Sequence, residues 1–469
     1  MKRRMVGCLV TMATVASMIA GCGSASSTGS NTRSPSASSG TESTASSGSN
    51  ASADSGGTVS SGDKVKVVFQ TWNPGESQWA VLKDEFEKDN PNIDLEFRFV
   101  PDSDHYEKLK VDLTAGDAAD VYGMQVGANY EAFRDFETDL TPYLEKKYGD
   151  KWQDEYNSYA LDMLKADDGK YYAMPLGLTY AGFAWSNDQI LDKYGLSVSQ
   201  NEKLEALQKT CKTLRDNNEY PLAIGAKDSW INIDTWMNIA NDIDSDKLYS
   251  AIDGKTSFED PDLVQSFKIW QDCFTDGVFQ DGATGVGMYT DITDPFEKEG
   301  NVSMYLNGSW ACGAFLNTDE QSQAVYNGKN SHHTVFLIDW NNDGKPAPVQ
   351  ETIDVALCMN KNTKNPDAAY QVIDWMLHKG QDILVNQLLQ YCPSRTDLDL
   401  NVQGLSDNGK ECLDFIMKQA DNNVAGYREM AYPDLKQTIS DQLTSLAIGD
   451  TTPEEAAKTI QQASEAQER

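Results

Sequence analysis

The chain has 469 residues, 39% hydrophobic and 24% charged, and carries a formal net charge of −33. So large an excess of acid argues against nucleic acid and anionic membrane surfaces as partners. The acidic residues are scattered, as on a solvated surface, and by themselves point to no ligand.

Met1 to Cys22 reads MKRRMVGCLVTMATVASMIAGC. Lys2, Arg3 and Arg4 form a positive start, and Met5 to Ala20 is apolar but short for a bilayer span, the pattern of a signal peptide over 1–22. Ile19-Ala20-Gly21-Cys22 resembles the bacterial lipobox. That resemblance implies cleavage before Cys22, a diacylglycerol on its thiol, and a multiply acylated lipoprotein with palmitate among its chains. The expected location is the extracellular face of the cell membrane, held by lipid anchor only. The alternative is an ordinary signal peptide with a chance cysteine. Residues 23–62 are almost all Ser, Gly, Thr, Ala and Asn, a composition that cannot bury a core and predicts a disordered linker.

The rest of the chain is long enough for a large core and two lobes. Its cysteines, Cys211, Cys273, Cys312, Cys358, Cys392 and Cys412, are widely spaced, with no CxxC pair and no zinc-finger spacing. An oxidising exterior permits disulfides, but the spacing selects no pairing, and buried thiols acting as small hydrophobes are an equal reading. No metal and no cofactor is expected.

Asp63 to Trp72 predicts a buried first strand, ended by the turn chemistry of Asn73-Pro74-Gly75-Glu76. Ligands of open α/β sheets bind beyond the carboxyl ends of the strands, so Trp72, Asn73 and Glu76 are cleft candidates. A helix over Ser77–Lys88 follows, with Trp79, Leu82 and Phe86 at helical spacing and Trp79 expected in the core; Ile93–Val100 alternates as the next strand. Tyr106–Ala115 predicts a short helix, Asp120 a structural role at the entry of the next strand, and Gln125 and Asn129 hydroxyl partners at the same sheet edge. Trp152, Tyr156 and Tyr159 read as core residues of one amphipathic helix.

Asp167 to Leu196 organises the chain. After Pro175 comes an apolar run, Leu176 to Trp185, punctuated by Gly177 and Gly182. Glycine inside a strand marks a bend or a close backbone approach, so the run reads as a strand that leaves one sheet and enters another. With Gly169-Lys170, Tyr172, Pro175 and Ser186-Asn187-Asp188, it resembles the "GK-x-Y-x-x-P…YN-x-D-x-L" passage of extracellular solute-binding proteins of the sugar-binding class, the family that includes maltose-binding protein. Further resemblances follow: FEKDNPNI near Pro91, GDAADV before Tyr122, LTPYL at Pro142, Phe296-x-x-x-Gly300…Gly308-Ser309-Trp310, and the Asn365-Pro366-Asp367-Ala368-Ala369 helix.

The resemblance implies an α/β, two-lobed periplasmic-binding-protein-like fold, each lobe a mixed or parallel sheet flanked by helices and joined by a multi-strand hinge. Lobe 1 is expected from 63–178 plus 355–405, with Ile353–Met359 as the returning crossover, and lobe 2 from 179–354 plus 406–469. It also implies a monomer that is not an enzyme, capturing a carbohydrate and delivering it to the permease subunits of an ABC importer. Trp230 and Trp310 stand at positions where relatives carry cleft aromatics, with Asp228 as an acceptor for sugar hydroxyls and Trp340 as a further cleft aromatic. Trp236 is expected to pack. Asp339-x-Asn341-x-Asp343-Gly344 imitates an EF-hand start, but Gln350 sits at the closing position, and a hairpin turn explains the spacing without calcium.

Two alternatives stay open. A secreted glycan hydrolase would need an acid–carboxylate pair that the acidic composition does not exclude, although no G-x-S-x-G, HExxH or Walker pattern occurs. The adjacent His332-His333 lacks ligand spacing and reads as part of a surface strand. A binder of the same fold could also take a peptide, since a fold does not dictate its ligand.

Overall fold

The computed structural model describes residues 64–467, so the signal peptide, Cys22 and the linker lie outside the described residues. Val65–Thr71 forms the expected first strand and pairs in parallel with Ile93–Phe99 on one side and Val121–Met124 on the other. The helix Glu76–Asp89 between them buries Trp79, Leu82 and Phe86. Trp79 stacks on Phe97 with ring centroids 3.6 Å apart, and its Nε1–H donates to the Pro74 carbonyl at 2.8 Å. It is core, as its spacing implied. Asp120 accepts from the Val68 amide at 2.9 Å, which ties the entry of the third strand to the first.

Ala356–Met359 and Ala173–Pro175 complete this sheet in antiparallel fashion, in the order Ile93–Phe99, Val65–Thr71, Val121–Met124, Ala356–Met359, Ala173–Pro175. A second five-stranded sheet runs Asn201–Lys203, His333–Asp339, Phe183–Asn187, Met304–Asn307, Leu222–Ala223. Phe183–Asn187 is antiparallel to both its neighbours, and the outer pairs are parallel. Between the two lies a three-stranded sheet of Val424–Tyr427, Val349–Ile353 and Leu178–Ala181.

The chain passes from the first sheet through this small one into the second within Ala173–Asn187, and returns within Val349–Met359. Both glycines sit at joints of the first passage. A Cβ on Gly177 would lie 2.4 Å from Cβ of Tyr391, and Gly182, at φ +106°, has Asn238 Nδ2 2.5 Å from where a Cβ would be. Only glycine fits such a backbone closely against its neighbours.

Several elements differ from the sequence reading. Trp152–Tyr159 is not one helix: a 3₁₀ turn, Trp152–Glu155, is followed by a helix Ser158–Leu164, because Asn157 Oδ1 accepts from the amides of Tyr159 and Ala160 and restarts the chain as a cap. Trp152 and Tyr156 are still buried. The 102–115 helix begins earlier than expected, just after Pro101. The strand Leu222–Ala223 is only an edge pair, and Tyr220 before it is exposed. Asn341–Lys345 is not a hairpin, since the strands it joins belong to different sheets. His333 opens an interior strand and is buried against Tyr326 at 4.3 Å, so no surface strand carries the two histidines.

All six cysteines of the described residues are free and buried. Trp236 packs as expected, stacked on Phe267 with its Nε1–H donating to Ser266 Oγ at 2.9 Å. Among the described residues no helix is long and apolar enough to cross a membrane.

The joint at Gly182 is testable. Gly182→Ala combines a positive-φ penalty with a forced shift of Asn238 and should destabilise the protein by about 1–3 kcal/mol, read from chemical denaturation midpoints.

Candidate functional site

The carboxyl end of the first strand delivers Trp72 and Asn73 to the region where the three sheets meet. Trp72 is half-buried, its ring 4.8 Å from His105 and 5.7 Å from Tyr106. Burial holds the His105 imidazole at a pKa of about 4, so it is neutral, and its Nε2 lies 2.9 Å from the Gly123 carbonyl. Asn73 reaches across to the return crossover and donates from Nδ2 to Asp354 Oδ2 at 2.8 Å. Asp354 follows directly on the hinge strand Val349–Ile353.

The second group of side chains comes from the opposite direction. Trp230, in the first turn of the helix Ser229–Ile252, lies between Tyr289 (5.9 Å) and Trp310 (6.0 Å). Trp310 follows the strand Met304–Asn307, and its six-membered ring sits so closely over Gly308 that a Cβ there would be 2.0 Å from Cζ3. Both indoles face one guanidinium. Arg428 Cζ lies 5.1 Å from the Trp310 ring and 5.8 Å from that of Trp230, within the range of cation–π attraction.

Arg428 follows the hinge strand Val424–Tyr427 and is buried. Its Nε–H donates to both carboxylate oxygens of Asp234, at 2.8 and 2.9 Å. Its Nη1 lies 3.7 Å from Asp354 and its Nε 4.0 Å from Glu429, which pairs in turn with Lys436. Alternation along the hinge strands explains the grouping. Asp354, Thr352 and Gln350 share one face with Arg428, while Glu351 and Tyr427 share the other with Tyr180. On that second face Tyr180 donates to Glu351 at 2.9 Å.

The electrostatics follow from burial and pairing. Burial holds the carboxyls of Asp234 and Asp354 above their ordinary range, an effect that Arg428 only partly offsets. At Glu429 burial acts upward too, but Lys436 and then Arg428 outweigh it and the carboxyl sits below the usual range. Two buried polar atoms nearby, Trp310 Nε1 and Tyr391 Oη, have no hydrogen-bond partner among the described residues.

The remaining expected residues are placed as follows. Glu76 is exposed in the first turn of its helix, at the end of the loop that carries Asn73. The Gln125 amide donates to Tyr106 Oη at 3.2 Å. Asn129 lines a polar hollow with Ser229, Glu429, Lys436 and Gln437, next to the Arg428 network through Glu429. Asp228 Oδ2 accepts the Met288 amide at 2.7 Å and pins the loop before Tyr289.

Trp340 requires a correction. The residue is 1% exposed and its Nε1–H is bonded to Asn238 Oδ1 at 2.8 Å, so it supports the helix that carries Asp234 and lines only a small internal cavity with Gly182, Asp234 and Trp310. The EF-hand likeness has a backbone explanation: Asp339 accepts from the Asp343 and Gly344 amides at 3.0 and 2.7 Å. Among the described residues no cluster of His, Cys, Asp and Glu could hold a metal. Sequence reasoning passed over Arg428, Asp234, Asp354, Tyr289 and Tyr391. One signal was available, an acidic residue (Asp354) inside the apolar crossover run Ile353–Met359.

Two sheets joined by hinge strands, with aromatic and charged side chains converging where they meet, define a two-lobed binding protein. The profile of the family described as bacterial extracellular solute-binding protein matches residues 71–383, and the chain belongs to that family. An uncharacterized ABC transporter extracellular-binding protein of Pyrococcus horikoshii is 26% identical over 258 residues, 53% of this chain and 56% of the relative. The chain thus spans little more than half the length of that relative. A protein of Brucella abortus described as a binding protein is 24% identical over 301 residues, 64% of this chain and 68% of its own.

Among solved structures, one from work on xylan utilization by Caldanaerobius polysaccharolyticus gives a TM-score of 0.72 at 21% identity, covering 85% of this chain and 99% of that one. A chitin oligosaccharide binding protein gives 0.70 at 17% identity, covering 86% and 99%. Maltose-bound T. maritima MalE3 gives 0.69 at 19%, also covering 86% and 99%. At these identities the likeness establishes the two-lobed fold.

The buried ion pair sets a measurable expectation. Arg428→Met leaves Asp234 buried without its cation and should cost about 3–5 kcal/mol of unfolding free energy. Arg428→Met combined with Asp234→Leu and Asp354→Asn should recover much of that loss in the same denaturation assay, because neither carboxylate that faced the guanidinium is left as a lone charge.

Proposed function

We propose that this protein is the capturing component of an ABC importer, tethered to the outer face of the membrane by lipid on Cys22. It holds an oligosaccharide between its lobes without altering it and passes it to the permease as a monomer. Lobe 1 is assigned to 63–178 plus 355–405 and lobe 2 to 179–354 plus 406–469, in keeping with the sheets. The observation that carries the ligand assignment is the pair Trp230 and Trp310, set at the meeting of the sheets beside Arg428, Asp354 and Asn73. Flat C–H faces of pyranose rings pack on indoles, and hydroxyl groups exchange hydrogen bonds with guanidinium, carboxylate and amide groups.

The names attached to structural neighbours, with xylan, chitin oligosaccharide and maltose among them, support a saccharide over a peptide. More than one aromatic platform (Trp72 lies on the other side) favours more than one sugar ring. A hydrolase reading has less support. The carboxylates that face the guanidinium beside the indoles, Asp234 and Asp354, are paired with Arg428 rather than set out as acid and nucleophile.

A melting-temperature screen of saccharides and peptides should give a stabilising saccharide, since a ligand of the folded form alone raises apparent stability. With that hit, small-angle scattering should show a smaller radius of gyration as the lobes close, and chromatography should return the sugar uncleaved. Trp230→Ala should weaken binding by about 1–3 kcal/mol in calorimetry, the scale of losing one stacking platform. Peptide hits alone, or cleavage products, would replace this reading.

A further inference from the structure

We infer that the site is built for an uncharged, hydroxylated ligand and rejects anionic saccharides such as those bearing uronic acids, with Arg428 as the residue that sets this preference. The inference rests on the oligosaccharide reading and narrows it.

A lone arginine in a sugar site would ordinarily be read as a hook for a carboxylate, because its planar fork matches one with two parallel hydrogen bonds. Here its charge is already met, although only the Nε–H of the fork is hydrogen-bonded. Asp234 takes the Nε–H with both of its oxygens, Asp354 stands 3.7 Å from Nη1, and Glu429 stands 4.0 Å from Nε. The other cation placed in this region, Lys436, is spent on Glu429. Three buried or half-buried carboxylates therefore surround two cations. Asp228, at the foot of the Trp230 helix, adds a further acid.

The hydrogen bonds of Arg428 among the described residues all run from Nε to Asp234. Its terminal amino groups remain as donors, held against the indole faces by a carboxylate that cancels their charge. Donors of that kind suit hydroxyl and ring oxygens, which need a hydrogen bond but bring no charge. An anionic ligand would instead add a negative charge beside Asp234, Asp354 and Glu429 with no free cation to meet it. In a site withdrawn from water, like-charge approach of that sort discriminates strongly between partners.

The test is calorimetry on the full chain with matched probes: maltotriose, xylotriose and chitotriose against trigalacturonate and glucuronic-acid-substituted xylotriose, each at low and high salt. The expected result is binding of a neutral saccharide with a Kd insensitive to salt, and binding of the acidic ones at least ~100-fold weaker. Asp354→Asn removes one opposing carboxylate and should narrow the neutral-to-acidic ratio by about tenfold. If that variant does not fold, the comparison on the unaltered protein decides alone. Acidic saccharides binding as tightly as neutral ones, and weakening with salt, would overturn the inference and leave the oligosaccharide reading standing. Failure of every saccharide, neutral or acidic, would remove both.

Discussion

One buried charge organises the centre of this molecule. Arg428 is drawn out of water, and a guanidinium in that position is tolerable only because Asp234, Asp354 and Glu429 surround it and two indoles cover it. Asp234, Asp354 and Arg428 arrive on different pieces of chain. Asp234 comes on the helix after the second sheet's short edge strand, Asp354 on the return crossover, and Arg428 on the last hinge strand. Through Asn73, the loop after the first strand joins the same network. The ion pair therefore fixes how the hinge strands, the long helix and the first sheet are set against one another.

This dependence has a backbone counterpart in the crossings. A strand can leave one sheet and enter another within a few residues only where the chain turns without a side chain in the way. Gly182 provides this with a positive φ and Asn238 pressed against it. Asn238 also accepts from Trp340 and donates to the Pro348 carbonyl, so the crossing, the buried indole and the hinge share one polar residue. Motion of the lobes would be borne by these few joints, while the packed sheets on either side move as bodies.

The site joins two chemistries that are usually separate. Aromatic faces offer area without direction, and the Arg428 network offers direction without net positive charge. Both belong to the same few ångströms because the indoles pack on the guanidinium as well as presenting themselves to a ligand. Other titratable groups are kept out of this chemistry by burial elsewhere. Glu297 is pushed up to about 8 beneath Tyr305, and Glu137 to about 8 behind the first sheet.

The sequence by itself determined the α/β class, the crossing at Gly177 and Gly182, and the first βαβ unit with Trp79 in its core. These follow from local rules: strand and helix periodicity, turn chemistry and the special backbone freedom of glycine. Only the tertiary structure decided that Trp340 is sealed inside, that Asp228 serves a backbone amide, and that His333 lies in an interior strand. It alone brought Arg428 to Asp234 across 194 residues of chain and Asn73 to Asp354 across 281. The physical reason is that a charged residue's role depends on which partner meets it after burial. That partner is chosen by the arrangement of sheets, which no local pattern around Arg428 records.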